Sequence, residues 1–179
     1  MSELEAEWAR RLAEAEARAR NVGRSDVADY LALRALNDVA RNVGIEWLLA
    51  TFNAHAGEAN RTATNSGILI THTDAHRFRA GNSHMVGRRL TLASGVRVLT
   101  VEAGWPRTPR DGIVRGGGLA TARISHFGKP RDDDELLLVQ NAEGDAQSSP
   151  RWFILDANGA RHAAFAEARV HQHVAKLLH

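Results

Sequence analysis

The chain has 179 residues, 44% of them hydrophobic and 25% charged, the makeup of an ordinary globular chain that can fold without disulfide or metal staples. It contains no Cys, which excludes disulfides, thiolate zinc centres and Cys nucleophiles together. The net charge of +2 is unevenly spread: residues 77–131 hold 11 Arg plus Lys against only Glu102 and Asp111, while residues 132–145 hold six acids and no base.

The N-terminal segment alternates charge and lacks the apolar centre of a signal peptide, and no apolar run approaches the ~20 residues of a spanning helix. A cytoplasmic protein without a membrane partner is therefore expected. Residues 3–21 read as a helix, because Leu4, Trp8, Leu12, Ala15 and Ala19 recur at spacings of three and four. Glu7–Arg11, Glu14–Arg18 and Glu16–Arg20 add (i, i+4) pairs in the favourable orientation. This narrow stripe needs a partner surface, either the chain's own sheet or a second copy in a homo-oligomer. Gly23 ends the helix, and Ser25 caps a second one over about 26–42 that buries Val27, Tyr30, Leu33, Leu36 and Ala40. Gly44 is expected to break it, with a third helix over about 45–56 and a polar connection over 57–66.

From Gly67 the texture changes to short β-type runs separated by turn residues, the pattern of an antiparallel sheet. Strands are expected at 68–72, 86–93, 96–103, 119–127, 135–140 and 152–155, with a short return strand after the Asp156–Gly159 turn. A closing helix is expected over 164–178. The fold class is α+β: N-terminal helices packed on a mostly antiparallel, six- to seven-stranded sheet, open or curled, with a C-terminal helix. Residues 1–61 form the helical segment and 62–179 the sheet region, as parts of one domain.

Ser94–Gly95 reads as a two-residue hairpin turn. Pairing across it puts Val86, Arg88, Leu90, Leu92, Leu99, Val101 and Ala103 on one face and Arg89, Thr91, Val96, Val98, Thr100 and Glu102 on the other. The first face is the core face, and Arg88 is embedded in it. A guanidinium in that position must be paired or must reach an anion.

Candidate chemistry follows from the same pattern. Arg88, Arg97, Arg115 and Arg123 could hold an anionic small molecule on the sheet, Arg115 from the glycine-rich loop Arg115–Gly118, whose backbone N–H groups could cradle an anion. Arg88 has a plainer reading as a strand-end side chain that reaches solvent, Arg97 can reach solvent near the hairpin end, and the glycine triplet reads more plainly as a mobile loop or a bulged strand entry. His72, Asp74 and His76 alternate along a strand and so could converge on a divalent metal. Adjacent ligands on one flat strand stand about 6–7 Å apart, however, which requires a bend. The excess of positive charge with Phe78, Trp105, Phe127 and Trp152 nearby admits single-stranded nucleic acid, but no nucleic-acid motif accompanies it. His126 is expected as a hydrogen-bonded core histidine. The leading reading is a non-catalytic binding module with no cofactor, ahead of a nucleic-acid binder or a metal-dependent enzyme.

Overall fold

Apolar spacing in the N-terminal third continues through Gly44, and the chain forms two helices there, not three. The computed structural model describes residues 3–62, 67–140 and 149–178. The end of the polar connection at 63–66, and Glu143 and Asp145 of the acidic stretch, lie outside the described residues. Helix α1 spans Glu3–Asn21 and α2 spans Ser25–Thr62. The structure divides into two units, 1–42 and 43–179.

Within the first unit, Gly23 takes a positive φ and α1 ends on Arg24 N donating to Ala19 O at 2.9 Å. Trp8 lies against Arg34 and its indole N–H donates to Asp38, while Leu12 and Ala19 are buried. The α1 stripe thus faces α2, on its Arg34–Asp38 side. Tyr30, Leu33 and Leu36, expected inside, are exposed together with Val39.

The second unit begins with the rest of α2. Gly44 does not break the helix. A Cβ there would come within 2.6 Å of Leu138, and its carbonyl accepts the buried Trp152 indole N–H at 2.8 Å. The glycine therefore serves close approach of helix to sheet, at a propensity cost of about 1 kcal/mol. Seven strands follow: β1 Leu69–Ala80, β2 Ser83–Ser94, β3 Arg97–Trp105, β4 Ala120–His126, β5 Asp134–Val139, β6 Arg151–Leu155 and β7 Arg161–Ala164. They pair antiparallel in chain order, and the sheet does not close. Helix α3, Glu167–Leu178, ends the described chain.

The hairpin turn is Gly95–Val96, one residue later than expected, with Gly95 at φ +59° and Ser94 opposite Arg97. Every cross-strand partner moves by two residues, so the faces keep their membership except for Val96, which passes into the turn. Leu90, Leu92, Leu99, Val101 and Ala103 are fully buried on the face against which α3 packs, and Leu48 and Phe52 of α2 and Val170, Val174 and Leu177 of α3 are buried as well.

The opposite face is concave, because residues from β1, β2, β4, β5 and β6 line one hollow on it. A pair of glycines marks the bend. Gly87 sits opposite Gly104, and a Cβ on Gly87 would lie 1.9 Å from the Ala103 carbonyl oxygen. Only glycine lets the two backbones close this far. A bulge between Thr73 and His76 bends β1 as well, with Ala75 at φ +53°, the one non-glycine among the described residues in that region.

Candidate anion site

The loop from β3 to β4 is fastened at two points. Ser83 Oγ donates to Ile113 O at 2.9 Å and accepts from Ile113 N at 3.2 Å, which ties the loop to the β1–β2 turn. Farther on, Gly116 and Gly117 take positive φ, and a Cβ on Gly118 would lie 2.3 Å from Leu137. The glycine run therefore lies flat on β5 and carries Arg115 across the concave face, with its guanidinium resting on Gly81 of the β1–β2 turn.

Below Arg115 is a cup of about 90 Å³. Met85 and Leu137, each 2% exposed, make its floor, and Phe78 and Leu155 are half-buried in its walls. Arg123 enters from β4. Its Nη2 donates to Arg79 O at 3.2 Å, and its Nη1 is 3.8 Å from Glu102 Oε1. Glu135, exposed on β5, stands opposite Arg123 in the strand register and lines the same cup. Arg115 has no ion-pair or hydrogen-bond partner among the described residues. The cup thus offers an apolar floor, two guanidinium groups and one carboxylate. Thr121 also lines it, but its hydroxyl donates to Leu136 O at 3.2 Å.

The other expected residues lie elsewhere. Arg88 meets Glu46 of α2 at 2.6 Å, so the carboxylate that its position demands comes from a helix 42 residues upstream. Arg97 is exposed beside the hairpin turn. His72 shares the Leu90 side of the sheet and meets Asn53 at 3.2 Å, whereas the bulge turns His76 to the Gly87 side, where it meets Glu102 at 2.9 Å and stacks on Phe78. The two histidines therefore point to opposite faces. His72 and Asp74 share a cleft of about 220 Å³ with Arg88, Arg89 and Glu46. Among the described residues, no three His, Asp or Glu side chains are grouped to hold a metal ion. Of the four aromatics considered for stacking, Trp105 and Trp152 are buried, Phe78 walls the cup, and Phe127 alone is widely exposed, at 79%.

A polar network that the sequence did not disclose lies under α3. His126 is buried and hydrogen-bonded as expected, but its partner is His173 of α3, with Nε2 2.9 Å from the His173 Nδ1. His173 Nε2 meets Asp134 Oδ2 at 2.9 Å, and Arg169 grips the same carboxylate through two bonds of 2.7 and 2.9 Å. Burial pushes the Asp134 carboxyl upward, but the His173 hydrogen bond and Arg169 outweigh it and hold it well below the usual carboxylate range. Burial, with His173 alongside, lowers the His126 imidazole. Lys176 also pairs with Asp132. The available signal was the helical offset between His171 and His173, which puts His173 on the buried side of α3.

Comparison with family models, with curated proteins and with solved structures finds no match.

Proposed function

We propose that the chain is a small-anion-binding module whose ligand sits in the cup beneath Arg115 and Arg123. The observation that carries this reading is the Arg115 guanidinium, without an ion-pair or hydrogen-bond partner among the described residues, held over an apolar floor by a loop fastened at two points. Arg115 is exposed at the rim and screened by water on its outer side, so the buried Met85 and Leu137 strengthen its pull on an anion only on the side that faces the cup. Arg123, tethered to the Arg79 carbonyl, presents its donors from a fixed position, and a guanidinium matches a planar carboxylate or a phosphate with paired N–H donors.

Arg88 and Arg97 do not enter this site, since Glu46 neutralises the first and the second lies in solvent. Nucleic acid is less well supported, because stacking needs exposed rings and both tryptophans considered for that role are enclosed.

The test is calorimetric titration of the full chain with acetate and with phosphate, repeated on Arg115→Gln and Arg123→Gln. Dissociation constants near 1 mM, equivalent to about 4 kcal/mol, are expected for at least one anion, weakened about tenfold or more by either change. Heat of binding that neither variant alters would remove the cup from the account.

A further inference from the structure

We infer that the cup's ligand is a monocarboxylate with a short apolar tail, a class that rests on the anion-binding reading and narrows it. Three features set this class. The first is charge: Arg115 and Arg123 against Glu135 give the cup's lining one positive charge, and Glu102 beside Arg123 lowers that further, so a monoanion balances it and a dianion overshoots.

The second is the distribution of donors. The guanidinium groups are the cup's charged donors, and the Thr121 hydroxyl is already committed to Leu136 O. Met85 and Leu137 below offer no hydrogen bond. A phosphate or sulfate pointing oxygens at that floor leaves them unsatisfied, a cost that a carboxylate avoids by presenting both oxygens to the arginines and only carbon to the floor.

The third is size. The hollow, about 90 Å³, is small and open on one side, so it covers a short tail of a few carbons, as in butyrate, and leaves a longer one in water. Each methylene taken from water into the cup strengthens binding about fourfold, the equivalent of ~0.8 kcal/mol.

The experiment is a titration series on the full chain with acetate, propionate, butyrate, pentanoate, heptanoate, phosphate and sulfate. Affinity is expected to rise about fourfold per methylene from acetate to butyrate, roughly 16-fold in total, and then to level off. Phosphate and sulfate should bind at least tenfold more weakly than butyrate. Leu155→Asn, a change in the half-buried wall, should flatten the chain-length series. A flat series in the unaltered chain, or phosphate equal to butyrate with both lost in Arg115→Gln, would overturn the monocarboxylate class and leave anion binding standing. Failure of every anion to bind would instead defeat the parent reading, and this inference with it.

Discussion

Asp134 is the residue whose loss the structure prices most clearly. It is buried, and its two oxygens are shared between the Arg169 guanidinium and His173, itself only 1% exposed. Asp134→Ala strands the His173 N–H without an acceptor, at about 1–3 kcal/mol for a buried unsatisfied group. It also frees Arg169, but that side chain is 34% exposed and can turn to water, so its share is about 1 kcal/mol. The expected cost is about 2–4 kcal/mol, a large part of the ~5–15 kcal/mol that holds a domain together. With a urea slope of about 1–3 kcal/mol per molar, the unfolding midpoint should fall by roughly 1–2 M. The buried Trp152 reports the transition by fluorescence. Acid dependence gives a second reading of the same network. Both Asp134 and His126 titrate lower in the folded chain than in the unfolded one, so the unfolded chain binds protons first. The His126 share of stability is fully present above its unfolded pKa of about 6.5 and drains away as pH falls through the lowered folded value. The Asp134 share is present above about pH 4 and is lost in stronger acid. Asp134→Ala should shrink the lower stage to the part that other lowered carboxylates, such as Asp132 and Asp111, contribute. A midpoint within 0.2 M of the unaltered chain, or an intact lower stage, would refute the assignment of this network to holding α3 on the sheet.

Two backbone substitutions probe the framework. Gly44→Ala should destabilise by about 1–3 kcal/mol despite the better helix propensity of Ala, because its Cβ lands 2.6 Å from Leu138; thermal unfolding followed by circular dichroism checks the sign. Ala75→Gly should do the opposite and raise stability by up to about 1 kcal/mol, since relief of the left-handed backbone strain exceeds the added chain entropy. A lower midpoint for Ala75→Gly in the same assay would mean that the bulge is not strained.

The α+β class, the meander of strands and the inward face of the first hairpin were legible because each rests on local period and turn chemistry. The hairpin shows how robust such reading is: placing the turn at Ser94–Gly95 instead of Gly95–Val96 shifted each partner by two and misplaced only Val96, which lies in the turn. Gly44 misled for the converse reason, since its purpose lies in Leu138 and Trp152, about 100 residues away. Arg88 was recognisable as a charge in need of an acid, but nothing in the chain's order points to Glu46. Arg115 and Arg123 were each visible as candidates. Their meeting over Met85 and Leu137 depends on the curl at Gly87 and Gly104 and on the flat lie of Gly118, which are contacts between strands and not patterns along them.

The claim that the concave face is a ligand site is tested most directly by following amide and arginine side-chain resonances of the full chain as butyrate is added. The account predicts saturable shifts concentrated at Gly81, Thr121, Leu137 and the Arg115 and Arg123 guanidinium groups, with His72, Arg88 and Arg97 unmoved. Shifts centred on the His72–Arg88 cleft, or none at saturating butyrate, would contradict it.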